Sequence, residues 1–106
     1  MILEGYIAKW NSYPKDEIKI RVARPSKLSP SEDLLWDYKN GYITWGEYEN
    51  RFREQILNNP DAMALLTTIS EMSKTQNIRL ICYEKNPPCH RFLLIKIIEE
   101  IEGASV

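Results

Sequence analysis

The pattern of hydrophobic and polar residues predicts three strands, one near the start of the chain, one shortly after it and one near the end. Residues 2–10 carry enough apolar side chains for a strand. Residues 18–23 alternate apolar and basic positions, which is the period-two pattern of a half-buried strand. Residues 78–83 are almost wholly apolar, as is typical of a central strand covered on both faces.

Capping motifs predict three helices between the second and third strands. The motif at residues 29–32 predicts a helix that is capped by Ser29 and ends at residues 40–41, where an Asn-Gly pair favours a left-handed turn. A second capping box follows at residues 44–47, and an Asn-Pro pair at residues 59–60 begins the next helix. Apolar residues recur at helical spacing along the second and third of these helices: Trp45, Tyr48, Phe52, Ile56, Met63, Leu66, Ile69 and Met72.

The last predicted helix spans residues 89–102, ends at Gly103 and is rich in leucine and isoleucine. Such a broad apolar surface indicates burial either within the domain or against a second copy, so a homodimer is one of the two interpretations. The order of elements predicts one α/β domain over residues 1–106. We expect a small Rossmann-like three-layer domain with a short, mainly parallel sheet and about four helices.

Composition narrows the classes of function. The 106 residues include 14 basic and 15 acidic side chains, and the net charge of −1 disfavours a protein that is held on nucleic acid by bulk charge. No stretch is long and apolar enough for a membrane span, and no signal peptide is recognisable, so we expect a cytoplasmic protein without membrane contact. In that compartment the two cysteines should be reduced.

Most of the candidate catalytic and binding residues lie where the last strand ends and the last helix begins. Open α/β sheets bind ligands beyond the carboxyl ends of their strands, and this rule points to Arg24, Glu84 and Lys85. Cys89 and the only histidine, His90, stand at the start of the last helix, followed by Arg91. A helix N-terminus attracts anions and lowers thiol pKa values.

These residues can be assigned roles. In a catalytic site Cys89 would be the thiol or thiolate, His90 the proton carrier and Glu84 the carboxylate that orients it or acts as a base. Arg24, Lys85 and Arg91 would bind the negative charge of a small ligand, such as a phosphate-bearing metabolite or a nucleotide. The sequence does not decide between an enzyme and a binding protein.

Less specific interpretations compete with this one. Cys82, inside an apolar strand, is more typical of a small core residue. Glu84, Lys85 and Arg91 are also compatible with a solvated loop whose ion pairs stabilise little. A zinc site is disfavoured, because Cys82, Cys89 and His90 supply at most three soft ligands and lack a Cys-x-x-Cys spacing, so neither a metal nor another cofactor is expected. Core packing or a subunit interface is favoured over base stacking for the aromatic residues in and around the first two helices. These residues are Trp10, Trp36, Tyr38, Tyr42, Trp45 and Tyr48.

Several motifs together resemble the family called domain of unknown function 488. They are the Arg-Pro-Ser turn at residues 23–27, the aromatic helical segments at residues 36–41 and 43–52, the strand end at residues 82–85 and the Cys-His-Arg helix start at residues 89–91. The resemblance extends over about residues 6–101, and the Cys-His-Arg element is its most specific part. It implies a Rossmann-like α/β fold, and it implies that six residues match the positions of the family's pattern: Arg24, Glu84, Lys85, Cys89, His90 and Arg91. It implies no reaction.

Two alternatives to a small-ligand site stay open. The same basic pocket could hold a backbone phosphate or a terminal nucleotide of a nucleic acid, although the neutral overall charge disfavours this. The segment at residues 89–91 could also act only as a helix start in a structural or interaction protein without catalysis.

Overall fold

The computed structural model describes residues 1–86 and 88–104, so that Pro87, which belongs to the predicted site segment, lies outside the described residues. The strands are β1 (Ile2–Tyr6), β2 (Ile18–Arg21) and β3 (Ile78–Cys82). A 3₁₀ helix, Ile7–Ser12, follows β1. The α-helices are α1 (Glu32–Lys39), α2 (Trp45–Leu57), α3 (Pro60–Ser73) and α4 (His90–Ala104).

The sheet is parallel and has the strand order β1-β3-β2. Ile78 of β3 is paired with Ile2 on one side and with Ile18 on the other. The strand predicted to be central is therefore central, and the predicted α/β class with a parallel sheet is confirmed. Because β3 pairs in parallel with both β1 and β2, the carboxyl ends of all three strands meet at one edge of the sheet.

The two faces of the sheet differ in what covers them. Ile78, Leu80 and Cys82 of β3 belong to one hydrophobic core that includes buried residues of all four α-helices. Arg79 points to the opposite face, because side chains alternate along a strand. Its guanidinium lies 4.1 Å from the centre of the Tyr13 ring. The segment that follows the 3₁₀ helix therefore covers part of this opposite face.

Several predicted boundaries differ from the structure, among them the end of the second strand, which lies at Arg21 rather than at residue 23. Two of the differences have local reasons. The first strand ends at Tyr6 rather than at residue 10, because its partner β3 ends at Cys82, opposite Tyr6, and leaves nothing for a longer strand to pair with. Helix α1 is capped by Ser31, whose Oγ accepts a hydrogen bond from the Leu34 amide, and not by Ser29. Ser29 donates its hydroxyl hydrogen to the Ser26 carbonyl within the preceding turn.

The caps of α2 and α3 are confirmed. Thr44 and Glu47 form the predicted capping box, and Asn59 accepts hydrogen bonds from the first amides of α3, with Pro60 in its first turn. Helix α1 ends at Lys39 with Asn40 as its C-cap, and Gly41 adopts a positive φ of 76°. Helix α4 continues through Gly103, the predicted end, to Ala104, the last residue that the structure describes.

Helix α4 is packed within the chain itself. Four of its apolar side chains are buried, and three more lie half-buried against the core: Leu93, Leu94, Ile97, Ile98, Phe92, Ile95 and Ile101. The apolar surface that suggested a second copy is thus largely covered by this chain, and the homodimer stays a prediction. Among the described residues, no helix has the length and hydrophobicity that spanning a membrane requires.

Replacing Gly5 by alanine is expected to destabilise the fold. An added Cβ would lie 2.6 Å from the hydroxyl oxygen of Tyr13, which accepts a hydrogen bond from the Tyr6 amide. The ring must therefore shift, at a cost of about 1–2 kcal/mol, the range of mild overpacking. Urea unfolding measures the change. Gly46→Ala is the control, because its Cβ would meet only the Thr44 hydroxyl at 3.8 Å, and an equal loss of stability in both variants would contradict the prediction.

Candidate functional site

A cavity of about 340 Å³ opens beyond the carboxyl end of β3, where the strand order predicts a ligand site. Residues of α1, α2, the loop after β2, the end of β3 and the start of α4 line it. Its volume lies at the lower end of the range for small-molecule pockets, which is roughly 300–1,000 Å³. The cavity can therefore accept a small molecule, or one end of a larger one.

Four polar groups converge at the floor of this cavity, which we define as Cys82, Glu84, Cys89 and His90. Glu84 Oε2 lies 3.1 Å from the Cys82 sulfur and 3.7 Å from the Cys89 sulfur. His90 Nδ1 lies 3.8 Å from each of the two sulfurs. Both cysteines are free thiols, and both are buried, as is His90. The structure thus brings Cys89, His90 and Glu84 together, as the sequence predicted, and adds Cys82.

The orientation of His90 is fixed from the opposite side of its ring. Nε2 lies 2.7 Å from the carbonyl oxygen of Val22, just after β2. A carbonyl oxygen can only accept, so Nε2 carries a hydrogen and donates it. In the neutral ring Nδ1 then has a free lone pair, and this lone pair faces the two sulfurs. The ring of Phe52 packs edge-on against the imidazole, with 5.6 Å between the centroids.

The surroundings shift the pKa values of the two thiols in opposite directions. The pKa of the Cys89 thiol lies below its ordinary value, chiefly because the Cys82 thiol donates a hydrogen bond to it; the backbone and charge of Arg91 act in the same direction, against burial. The pKa of Cys82 is raised, first by that same hydrogen bond and then by burial. Cys82 has one proton and three acceptors within reach, the Cys89 sulfur, Glu84 Oε2 and His90 Nδ1. Of the two cysteines, Cys89 is therefore the one that ionises first.

Glu84 remains ionised beside the thiols. Burial, the largest single influence, raises the pKa of its carboxyl group, but hydrogen bonds from Cys82 and from its own backbone, with the charges of Lys39 and His90, together hold this pKa below the ordinary value. The floor therefore combines a carboxylate with an acidic thiol in a partly buried place.

Aromatic rings form one wall of the cavity. Trp45 and Tyr48 stack with 4.6 Å between their centroids and 16° between their planes. Tyr38 lies 5.4 Å from Trp45 and 5.2 Å from Tyr48. Burial is the main cause of the raised pKa of the Tyr48 hydroxyl, which therefore stays protonated. Tyr48 belongs to the hydrophobic core, with Tyr38 and Trp45 packed against it, and all three also line the cavity.

The other aromatic residues of this group lie elsewhere. Trp36 and Tyr42 are 64% and 72% exposed, so core packing is wrong for both. Trp10 is 38% exposed. None of the three is among the described residues that line the cavity.

Two cationic side chains stand at the mouth of the cavity. Arg24 lines it, and its guanidinium also forms an ion pair of 2.5 Å with Glu32, in which both side chains are largely exposed. Lys39, at the end of α1, lines it as well and forms no ion pair with any residue that the structure describes. Both side chains also line a wider neighbouring groove on α1, so they stand where the cavity meets solvent.

Arg91 and Lys85, predicted to bind an anion, are placed differently. The Arg91 side chain is 1% exposed and forms an ion pair of 2.8 Å with Glu4 of β1. It also donates hydrogen bonds to the carbonyl oxygens of Glu84, at 2.6 Å, and Lys85, at 3.2 Å. Neither residue is among the described residues that line the cavity. Arg91 thus holds the loop that carries Glu84.

Comparison with protein families gives one match. The family model described as "Active DUF488-N3 subclade" matches residues 12–102, which include the whole floor of the cavity. No curated protein and no solved structure matches the chain.

Proposed function

Because the chain belongs to the domain of unknown function 488 family, whose name assigns no reaction, we propose a function from the cavity: it binds a small ligand that joins a flat ring to a negatively charged group. The single observation that carries this proposal is the composition of one cavity. It has an aromatic wall, two cations at its mouth and a reactive floor.

Each part of the cavity selects a property of the ligand. The stacked pair of Trp45 and Tyr48, with Tyr38, favours a planar ring that packs on or beside it. Arg24 and Lys39 favour a phosphate or carboxylate at the mouth. A nucleotide or a phosphorylated ring metabolite combines these two properties, and one ring of that size fits about 340 Å³.

The floor gives such a ligand a place to react. Cys89, His90 and Glu84 are residue types that serve as nucleophile, proton carrier and orienting carboxylate in group transfer. They line the same cavity as the two cations, so a ligand that occupies it lies near them. Two free cysteines favour a reducing compartment, and we assign the protein to the cytoplasm on that ground.

Removing the two cations is expected to weaken the binding of charged ligands selectively. Nucleoside 5′-monophosphates should bind more tightly than the matching nucleosides, and Arg24→Met with Lys39→Met should reduce this difference by about 10–100-fold, the value of one or two charged hydrogen bonds. Isothermal titration calorimetry with adenosine, uridine and their monophosphates measures the effect. Ribose 5-phosphate tests whether the ring is needed.

Lys96→Met is the matched control, because Lys96 lies on α4, pairs with Glu49 and does not line the cavity. It should leave every affinity unchanged. Equal binding of nucleosides and monophosphates by the unmodified protein, or an equal loss with the control variant, would remove the proposal.

A further inference from the structure

We propose that the floor of the cavity is a binding site for a zinc-like divalent metal ion, with Cys82, Cys89 and His90 as ligands and Glu84 in the fourth position. This departs from the expectation drawn from the sequence, in which only three soft ligands without a familiar spacing were available. The inference stands on the floor itself and does not require that the proposed ligand binds.

The distances between the ligand atoms fit a tetrahedral ion. The two sulfurs and His90 Nδ1 all lie within 4.8 Å of one another. For zinc, bond lengths of about 2.3 Å to sulfur and 2.0–2.1 Å to nitrogen place neighbouring ligand atoms roughly 3.5–3.8 Å apart. The two distances from Nδ1 to sulfur are both 3.8 Å, and those from Glu84 Oε2 to the sulfurs are 3.1 and 3.7 Å. An ion at the centre would need only small side-chain movements.

The histidine is held as metal-binding histidines are held. Its Nε2–H is donated to the Val22 carbonyl at 2.7 Å, which leaves the Nδ1 lone pair directed at the sulfurs. Such a partner behind the ring fixes the tautomer and orientation of a ligand histidine.

The side chains at the floor present more electron-pair donors than they have protons to share among them. The two sulfurs lie near both the Nδ1 lone pair and the Glu84 carboxylate, with at most two thiol protons to share. The nearby Arg91 guanidinium donates hydrogen bonds to Glu4 and to two backbone carbonyls, and its charge also acts on Cys89. A dication between the four groups would replace the protons and compensate the negative charge of the site.

The donor set selects the kind of metal. Two thiolates and an imidazole favour Zn²⁺ over Mg²⁺ and Ca²⁺, which prefer oxygen. Glu84 is the most exposed of the four groups and follows the strand in a loop, so a water molecule or an anionic group of a ligand can replace it. Catalytic zinc sites keep such an exchangeable position, whereas structural sites are closed by four protein ligands. The ion would therefore face the cavity.

Titration of the metal-free, reduced protein with Co²⁺ tests the site. We expect one Co²⁺ per chain, with a sulfur-to-metal charge-transfer band and the visible absorption of tetrahedral coordination, and displacement by one equivalent of Zn²⁺. Cys82→Ser and Cys89→Ser should each reduce the charge-transfer intensity by about half, in line with one thiolate lost of the two proposed ligands. His90→Gln and Glu84→Gln should lower the affinity by about tenfold or more. Glu99→Gln, an exposed position of α4, is the control and should bind as the unmodified protein does.

A second measurement does not depend on the folding of the variants. In the unmodified protein, Zn²⁺ should slow the alkylation of both cysteines at least about tenfold, since a metal-bound thiolate is a weaker nucleophile than a free one. Absence of the charge-transfer band and of this protection in reduced protein would overturn the metal site. Unchanged affinity of Glu84→Gln would overturn the fourth ligand.

The experiments can contradict the metal site and the proposed ligand independently of each other. Binding of Zn²⁺ without any binding of monophosphates would leave the metal site in place and remove the proposed ligand. Binding of monophosphates by protein that takes up no Co²⁺ or Zn²⁺ would do the reverse.

Discussion

Replacement of Arg91 by methionine is expected to cost about 2–4 kcal/mol of folding free energy, the range for breaking a buried ion pair when the remaining partner is still partly solvated. The Arg91 side chain is 1% exposed, whereas that of its partner Glu4 is 42% exposed. Methionine matches arginine in helix propensity and nearly in length, so the loss comes from the hydrogen bonds and not from the helix. Urea unfolding followed by circular dichroism measures it.

The loss should have a local component as well. Arg91 is the residue that ties the carbonyls of Glu84 and Lys85 to β1 through Glu4. Without it, the backbone amides of residues 84–86 are expected to exchange hydrogen faster than those of α2. Arg91→Lys keeps the charge but not the planar fork of donors, so its effect should lie between those of the unmodified protein and the methionine variant.

Arg51→Met is the matched control. Arg51 is also a helical arginine paired with a carboxylate, at 2.8 Å from Asp37, but its side chain is 42% exposed. Exposed ion pairs stabilise by at most about 1 kcal/mol. Equal effects of the two substitutions would contradict the view that Arg91 holds the loop.

The elements that the sequence predicted well are those whose causes are local. Thr44 with Glu47, and Asn59 with Pro60, lie within four residues of each other, and the structure uses both caps as predicted. The apolar run of β3 also predicted its central place in the sheet, because a nearly continuous apolar sequence is typical of a strand whose two faces are both covered. Ser29 failed as a cap because the choice between two serines two positions apart depends on the turn that precedes them.

The site was predicted in position but not in detail. The helix-start argument located Cys89 and His90, and the strand-end rule located Glu84. Cys82 was undervalued, because alternation along a strand shows that a side chain points inward but not which side chain it meets there. Its contacts with Glu84 and His90 depend on the path of the loop between β3 and α4.

Arg91 and Lys39 show the same limit for charged residues. A basic residue beside a helix start is compatible with binding an anion or with holding the chain, and the deciding partner, Glu4, is 87 residues away in sequence. Lys39 carried no local signal, and it reaches the mouth of the cavity only because α1 packs beside the loop after β2. Its position at the end of a helix could have identified Lys39, because that helix lies over the carboxyl edge of the sheet.

Replacement of Glu17 by glutamine is expected to destabilise the opposite face of the sheet, by about 2–4 kcal/mol at neutral pH, because it leaves a largely buried arginine without its counter-charge. The side chains of Glu17 and Arg79 are only 1% and 15% exposed. Two of the Arg79 nitrogens donate to the two carboxylate oxygens, and a third donates to the Glu4 carbonyl at 2.7 Å. Thermal or urea unfolding of both proteins at pH 7 measures the difference.

The effect of Glu17→Gln should depend on pH in a defined direction. The hydrogen bond from Arg79 is the main reason why the pKa of the Glu17 carboxyl group lies below its ordinary value of 4.5. A carboxyl pKa that is lower in the folded than in the unfolded chain stabilises the fold above the unfolded value, and this stabilisation is lost as the pH falls through the folded value. The stability difference between the two proteins should therefore be constant above about pH 5.5, roughly one unit above the unfolded pKa, and shrink below 4.5. Glu71→Gln, in the exposed pair with Lys74, should show no such trend. A difference that stayed constant on acidification while both proteins remained folded would mean that the ionised pair is not what stabilises this face.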